Sequence, residues 1–401
     1  MKLLLKILAP VAAILIAVTL GVSVMAADVQ EIEILPIYNE RVNPAYGQQI
    51  ELEYTSDAEN LYADETQYYV TLEDAAAALR AGLEAREPQV AIGIKTMQHP
   101  NEVSFHEIIF DEAVIHTGVP TQGDYILRHY SGYNCRTSGS YNSFTGIFSL
   151  VLTYSLVYHS TSAQEQMVDQ QVKNVLDQLN VYDQDDYHKV CAIYDYICKT
   201  VYYDHDGLNA GDDIVYSAYA ALINKKSVCQ GYANLFYRLA LELGVDCRII
   251  AGTGNGGPHA WNIVKLDGQY YNLDATWDAV RKQSGQKYDY FLRCDSRFYD
   301  HYRNLEFMTV SFYDQYPMGA ADYTYVPSAP SYVKGEFDGQ DGVTDSDAVY
   351  LLRHALFPDV FPVAAGIDKD INCDGIFSDA DAVYLLRFTL FPSTFPLYPG
   401  K

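Results

Sequence analysis

A cysteine, a histidine and an aspartate occur in an order and setting that would suit acyl transfer. Cys229 lies in Ser227-Val-Cys-Gln-Gly-Tyr-Ala-Asn234, at the predicted start of a helix. Unpaired N–H groups and the positive end of the dipole at such a position stabilise a thiolate and could hold an oxyanion. His259 follows 30 residues later (259 − 229) and Asp274 another 15 (274 − 259). The pattern predicts a nucleophile, a base and an orienting carboxylate in chain order.

Helices followed by an antiparallel sheet would have to position these three side chains. Apolar residues at helical spacing predict four helices: one opened by a capping box at Ser162 and Glu165, one from about Asp186, one over roughly Asp213–Ile223 and one from near Val228. Three strands are predicted next, at Cys247–Gly252, His259–Leu266 and Tyr270–Asp274. Asp267-Gly268 is a hairpin turn signal, so Asp274 should lie beside His259. The order of elements predicts an α+β fold.

These motifs resemble the transglutaminase-like superfamily, distant relatives of papain-type cysteine proteases. The resemblance covers roughly 150–280 and rests on Asp195–Asp204, Val228-Cys-Gln-Gly-Tyr-Ala, Gly244-Val, His259-Ala-Trp-Asn and Asp274-Ala-Thr-Trp. It implies a papain/transglutaminase-like core in which the Cys229 thiolate attacks a carboxamide or peptide carbonyl, His259 protonates the departing amine, and a thioester remains. Crosslinking, deamidation and proteolysis stay open. The side chain that completes the oxyanion hole is unidentified, with Gln230 and Tyr219 as guesses.

A duplication near the carboxyl terminus predicts a calcium-binding module. The segment Asp347–Arg353 recurs without a gap as Asp381–Arg387, 34 residues later (381 − 347). An acidic loop precedes each copy. Positions 1, 3, 5, 9 and 12 of an EF-hand-like loop are occupied in the second loop by Asp370, Asn372, Asp374, Ser378 and Asp381, with Gly375 at position 6. The first loop offers Glu336, Asp338, Gln340, Thr344 and Asp347 in the same register, with Gly342 displaced, so weaker binding or a shifted ligand set is expected there. An acidic solvated loop that caps a helix is the alternative for either loop.

This duplicated segment, about residues 334–397, resembles a type I-like dockerin. The resemblance implies an all-α module with structural Ca²⁺ that attaches an extracellular enzyme to a cohesin on the scaffold of a cellulosome. It also implies cohesin contacts through the helix faces and the residues before each last ligand, which are Asp345, Ser346, Asp379 and Ala380. No cofactor is expected for catalysis.

The 401 residues are expected to form two or three domains behind a targeting segment. Lys2 and Lys6 precede an uncharged, mostly apolar run, which predicts a signal peptide over 1–27 and secretion, with an uncleaved anchor as the alternative. A mixed α/β region is expected over 28–150, irregular over 28–65, followed by the catalytic domain over 151–322. A linker over 323–334 and the dockerin-like module over 335–401 complete the chain.

Composition and the remaining motifs narrow the function classes. The net charge of −25 disfavours a nucleic-acid partner, and seven cysteines are too few for a disulfide scaffold. Glycines over 252–257 predict a flexible loop beside His259. The competing hypotheses are a non-catalytic peptide- or glycan-binding module attached to a plant-cell-wall-degrading complex, and a glycoside hydrolase, for which no carboxylate pair can be placed. The other histidines are interpreted as surface or structural residues: His99, His106, His116, His129, His159, His188, His205, His301 and His354.

Overall fold

A computed structural model describes residues 31–42, 67–326, 334–340, 342–364 and 367–397. It divides the chain into two compact units, one that ends at Tyr323 and one that begins at Thr324. The predicted signal peptide lies outside the described residues, as does most of the predicted linker. None of the helices in the described part of the chain has the length and apolar content that a membrane crossing needs.

The first unit begins with a five-stranded sheet in the order β1-β4-β5-β3-β2. Its strands are β1 (Glu31–Val42), β2 (Tyr68–Tyr69), β3 (Gln89–Thr96), β4 (Tyr130–Asn142) and β5 (Ile147–Tyr158), and its helices are α1 (Leu72–Ala85), α2 (Phe105–Ala113) and α3 (Asp124–Leu127). Alternate residues of β5 are buried, as its sequence pattern predicts. The prediction of irregular structure over 28–65 is wrong at β1. This strand lies at the sheet edge with polar residues interleaved, so it lacks a core-facing pattern.

The second part of this unit combines helices with a four-stranded sheet in the order β10-β9-β8-β11, and four of the helices precede that sheet in the chain. The helices are α4 (Ser162–Leu179), α5 (Asp186–Thr200), α6 (His205–Ala210), α7 (Cys229–Glu242), α8 (Ala275–Gln283) and α9 (Val310–Gln315). The strands of this sheet are β8 (Cys247–Gly254), β9 (Gly257–Leu266), β10 (Gln269–Leu273) and β11 (His301–Arg303). Two short strands, β6 (Tyr202–Tyr203) and β7 (Lys226–Ser227), form a separate two-stranded sheet. Helix α7 is buried along nearly its whole length against α5, α8 and the sheet, and it forms the centre of this core. The predicted mixture of helices and antiparallel sheet is confirmed.

Two local helix predictions differ from the structure. The capping box of α4 consists of Thr161 and Gln164, one residue before the predicted pair. The predicted helix over Asp213–Ile223 is a 3₁₀ turn, Asp213–Tyr216, and a π turn, Ala220–Asn224. Ser217 separates them because its hydroxyl accepts from the Ala220 N–H and donates to the Ile214 carbonyl, in competition with helical hydrogen bonds.

The glycine-rich segment over 252–257 is a tight hairpin, and the predicted flexible loop is wrong. Strands β8 and β9 pair up to Gly254 and Gly257, which leaves only Asn255 and Gly256 in the turn. Both turn residues have positive φ, 50° and 80°, as a two-residue turn of this kind requires. The predicted Asp267-Gly268 turn has the same character, with φ of 50° and 82°, and is confirmed.

The second unit has two helices, α10 (Asp345–Leu356) and α11 (Asp379–Leu390), each behind an acidic loop. They pack around a small core of Ala348, Leu351, Ile371, Ala382 and Leu385. The repeat extends to side-chain contacts. One tyrosine of each helix donates to an equivalent proline carbonyl: Tyr350 to Pro362 and Tyr384 to Pro396. One arginine of each helix lies over an equivalent phenylalanine ring: Arg353 over Phe361 and Arg387 over Phe395. Two copies of one local structure therefore make up this unit.

Candidate active site

Cys229 is the first residue of α7, close to the predicted start of that helix. The short strands β6 and β7 pair in parallel, and the Asp204 N–H donates to the Ser227 carbonyl, which fixes the chain two residues before the thiol. Gly231 allows this close packing, because a Cβ there would lie 1.8 Å from Ser227 Oγ. The thiol is partly exposed at a helix N-terminus, where the first N–H groups have no intrahelical acceptor.

His259 and Asp274 meet across the hairpin formed by β9 and β10. Leu273 pairs with Asn262, so the chain leaving β10 lies beside the part of β9 that contains His259. His259 Nε2 lies 2.8 Å from Asp274 Oδ2, and both residues are buried. The other oxygen, Asp274 Oδ1, accepts from the N–H groups of Thr276 and Trp277 and caps α8. The carboxylate is therefore held by a helix start while it faces the imidazole.

The Cys229 side chain is an electrostatic neighbour of the same imidazole and raises its pKa. Because Nε2 faces Asp274, Nδ1 is the ring nitrogen left for the sulfur. The ring of Trp277 stacks on His259 with centroids 5.0 Å apart and planes inclined by 26°, which restricts the orientation of the imidazole. The structure thus brings together all three residues that the sequence predicts for catalysis.

The electrostatics of the pair favour an imidazolium facing a carboxylate. Burial alone would lower the pKa of His259, but the charge and hydrogen bond of Asp274, together with the contact to Cys229, raise this pKa to about 10. Burial would raise the pKa of Asp274, yet the charge and hydrogen bond of His259, followed by the hydrogen bond of His301, hold it well below its usual range. At neutral pH, His259 therefore has a proton available for a leaving group.

His301 belongs to this network, and its interpretation as an ordinary structural histidine is incomplete. Its Nε2 lies 3.2 Å from Asp274 Oδ2, the oxygen that His259 also uses. Strand β11 supplies it by pairing with β8, where His301 lies opposite Gly254. No short motif surrounds His301 in the sequence. The only available signal was an Asp-His pair in the segment after the predicted sheet.

The oxyanion role guessed for Gln230 and Tyr219 stays a prediction. The Gln230 side chain is buried and donates from Nε2 to the Arg128 carbonyl at 2.5 Å. Tyr219 packs against the core. Two other tyrosines are electrostatic neighbours of the thiol: burial first, and then the Cys229 charge, raise the pKa of Tyr203 to about 12 and also raise that of Tyr216. These two phenol groups and the first N–H groups of α7 therefore lie near the thiol.

Two groups of potential metal ligands have their ligand atoms within 4.8 Å of one another in the described residues: His259 with Asp274 and His301, and Glu336 with Asp338 and Asp347. In the first group both imidazoles already hydrogen-bond to one carboxylate oxygen. The second group is the predicted first calcium loop. Burial and the neighbouring charge of Asp347 raise the pKa of Glu336, which shows that these carboxylates crowd one another.

The two acidic loops share one backbone scaffold. Asp347 accepts from the N–H groups of Phe337, Asp338 and Thr344, and Asp381 accepts from the equivalent N–H groups of Ile371, Asn372 and Ser378. Gln340 in the first loop corresponds to Asp374 in the second. The backbone N–H of each residue donates to the side chain two positions earlier, which is Asp338 in the first loop and Asn372 in the second. In the second loop, Asp370 accepts from the N–H groups of Asp374 and Gly375, so its position 1 side chain also closes the loop.

Residues 173–275 match the transglutaminase-like superfamily. The matched segment includes Cys229, His259 and Asp274, and it coincides with the helices and the hairpin that hold them. The chain thus contains a transglutaminase-like domain.

Individual relatives match this chain over short stretches. This chain is 29% identical to human Kyphoscoliosis peptidase over 133 residues, which is 30% of this chain and 20% of that protein. It is 32% identical to mouse Kyphoscoliosis peptidase over 104 residues, 23% of this chain and 16% of that protein. The chain therefore spans about a fifth of the length of these curated relatives. A crystal structure of a TGase is 14% identical, with a TM-score of 0.25, over 49% of this chain and 56% of that chain.

Proposed function

We propose that this chain is a cysteine-dependent acyltransferase or peptidase that acts on protein or peptide amides. The observation behind the proposal is the 2.8 Å contact between His259 Nε2 and Asp274 Oδ2, with Cys229, the first residue of a helix, as an electrostatic neighbour of the same imidazole. An imidazole between a thiol and an orienting carboxylate is the arrangement that activates a cysteine nucleophile. The name of the curated relatives describes a peptidase, which agrees with cleavage at an amide.

The proposed reaction has two stages. Cys229 Sγ attacks the amide carbonyl carbon, and the resulting oxyanion faces donors at the start of α7. His259 gives its proton to the departing amine as the C–N bond breaks, and the acyl group remains on sulfur as a thioester. His259 then accepts a proton from an incoming amine or water as that group attacks the thioester, and the Cys229 thiolate leaves. Asp274 keeps the imidazole oriented and stabilises its protonated form throughout.

Thiol alkylation tests the nucleophile without knowledge of the substrate. We expect iodoacetamide at neutral pH to modify Cys229 faster than Cys191, as mass spectrometry of the peptides can show. Both thiols are partly exposed, but burial raises the pKa of Cys191. Equal rates, together with unchanged activity after Cys229→Ala, would reject the enzyme and leave the binding-module hypothesis.

A labelled amine and a glutamine-containing protein distinguish the possible products. Incorporation of the amine indicates crosslinking, whereas ammonia or new amino termini without incorporation indicate deamidation or proteolysis. Cys229→Ala should abolish each product and Cys191→Ala should not. Sequencing the peptide trapped on Cys229 would identify the substrate class.

We also propose that the second unit is a dockerin-like calcium module that attaches a secreted enzyme to a cohesin-bearing scaffold. Carboxylate, amide and hydroxyl oxygens at alternate positions of both loops fit a hard cation. The ligand set is Glu336, Asp338, Gln340, Thr344 and Asp347 in the first loop, and Asp370, Asn372, Asp374, Ser378 and Asp381 in the second. Bound Ca²⁺ would stabilise the loops and would take no part in the acyl chemistry.

Calcium titration of the chelator-treated full chain tests this second proposal. We expect calcium uptake by calorimetry and a rise in the unfolding temperature of the second unit. Asp370→Asn should weaken uptake, while the control Asp379→Asn, at an exposed acid outside the ligand set, should not. Absence of uptake would leave the loops as helix caps. Retention on immobilised cohesin only with calcium would support the scaffold partner.

A further inference from the structure

His301 is enclosed between two carboxylates beside the proposed active site. Its Nε2 lies 3.2 Å from Asp274 Oδ2 and its Nδ1 lies 2.8 Å from Asp300 Oδ1, while its side chain is 0% exposed. Asp300 is in turn held by a hydrogen bond of 2.8 Å from Tyr290 Oη. Since a carboxylate accepts and does not donate when it is ionised, both ring nitrogens need a hydrogen to make these contacts.

Aromatic rings fix the orientation of this imidazole. Phe298 stacks on it with a centroid distance of 3.9 Å, Trp277 lies 4.3 Å away, and Trp261 meets it edge-on at 5.0 Å. Backbone pairing of β11 with β8 restrains the main chain at the same residue. A ring with this much support cannot turn away from Asp274 without disturbing the core.

Two imidazoles therefore share one carboxylate oxygen. Asp274 Oδ2 accepts from His259 at 2.8 Å and from His301 at 3.2 Å, and the two rings lie 5.3 Å apart. A hydrogen bond donated to a carboxylate stabilises its charge and weakens its pull on a second proton. The donor from His301 should thus moderate how tightly Asp274 holds the proton on His259.

We propose that His301, held by Asp300, is a positioning residue that fixes Asp274 and limits the basicity of His259. The inference rests on the proposed function, because that proton must pass to the leaving amine. General acid catalysis weakens when the acid holds its proton too tightly. With His301 in place, Asp274 can orient His259 without retaining its proton too strongly.

His301→Phe is the decisive variant, because it keeps an aromatic ring against Phe298 and removes both donors. The titratable groups that face His301 are Asp274 at the start of α8, Asp300 on its own segment and His259 on β9, with Tyr290 behind Asp300. NMR titration of His259, assigned with His259→Gln, should show its midpoint moving to higher pH in the Phe variant. His301→Gln, which can still donate to Asp274, should return most of the shift.

Steady-state kinetics provide the second readout. Because the proton is only partly transferred in the transition state, we expect kcat to fall by up to about tenfold for each unit that the midpoint rises, with KM unchanged. A merely structural role would lower the stability and leave the His259 midpoint where it is. An unchanged or lower midpoint in a folded His301→Phe protein overturns the inference. If that variant does not fold, His301→Met, also without a donor, is judged by the same titration.

The titration separates this inference from the proposed function, because it needs neither substrate nor turnover. An unreactive Cys229 and absence of activity in the unaltered chain would reject the proposed enzymatic function. If Cys229 is reactive but the His259 midpoint does not change when His301 is replaced, only the role proposed for His301 is rejected.

Discussion

At the scale of single residues, Asp274 performs two tasks with two oxygens. Oδ1 caps α8 through the N–H groups of Thr276 and Trp277, while Oδ2 faces His259. The side chain is wholly buried, so an ionised carboxylate here depends on these donors. The helix cap holds the carboxylate in place, so that Oδ2 stays within hydrogen-bond distance of the His259 imidazole.

Asp274→Asn should separate the two tasks. Asparagine still caps a helix, but it has no charge to stabilise imidazolium, so the pKa of His259 should fall. By analogy with other triads, we expect a loss in kcat on the order of 10³–10⁴ with little change in folding. Asp185→Asn is the matched control, because Asp185 caps α5 in the same manner through the His188 N–H. Equal activity of the two variants would contradict the role of Asp274.

At the scale of elements, the site depends on how closely the start of α7 packs against β7 and the preceding turns. Ser227 Oγ donates to the Val215 carbonyl, and Gly231 leaves room for it. The Tyr194 hydroxyl oxygen of α5 lies 2.8 Å from the Asp274 carbonyl oxygen and 2.7 Å from Asp278 Oδ2, both within hydrogen-bond distance, which joins α5 to the start of α8. Helices that flank the hairpin thereby hold both ends of the proposed site.

Gly231→Ala should disturb the start of α7. The new methyl group would meet Ser227 Oγ at 1.8 Å and the Ser217 carbonyl oxygen at 2.7 Å. We expect a loss of about 2 kcal/mol in the free energy of unfolding by urea, and slower alkylation of Cys229. Gly257→Ala is the control, because a methyl group there meets nothing within 4 Å. A Gly231→Ala protein as stable as the control would show that this packing is looser than described.

At the scale of the whole molecule, the amino-terminal sheet and the transglutaminase-like part form one unit. Buried polar contacts join them: Arg248 donates to both oxygens of Asp124, at 2.7 and 2.9 Å, and Tyr125 donates to Glu165 at 2.7 Å. His129 Nδ1 lies 2.7 Å from the Tyr125 carbonyl, and its Nε2 accepts from the Ala218 N–H, so the ring fits as a neutral imidazole. The stability of the active-site region therefore depends on residues that are far from it in the sequence.

Acid should destabilise this junction through His129. Burial, opposed by the charge of Glu165, lowers the pKa of His129 from 6.5 to about 4. The unfolded chain then binds more protons, so the free energy of unfolding should fall as the pH drops from about 6.5 to 4, by roughly 3 kcal/mol from this group. Urea unfolding across this range should show a shallower fall for His129→Gln than for the control His188→Gln, at an exposed ring. Parallel curves would contradict the assignment.

Chemical pattern and local periodicity were sufficient to predict much of this protein. Helical spacing located α4, α5 and α7, the Asp267-Gly268 turn predicted the β9–β10 hairpin, and that hairpin placed Asp274 beside His259. These features depend on contacts between residues close in the chain, so the sequence pattern reports them directly. The carboxyl-terminal duplication is visible because the two copies match residue by residue.

The tertiary structure decided the features that arise from distant pairing. Strand β1 pairs with β4, about 100 residues away, and its edge position removes the alternation that would predict it. His301 reaches Asp274 only because β11 pairs with β8, 47 residues earlier at Gly254 (301 − 254). The Gln230 side chain donates to the carbonyl of Arg128, 102 residues earlier, a partner that sequence position does not suggest. Side-chain partners of this kind follow from packing between separate elements, which neither periodicity nor spacing records.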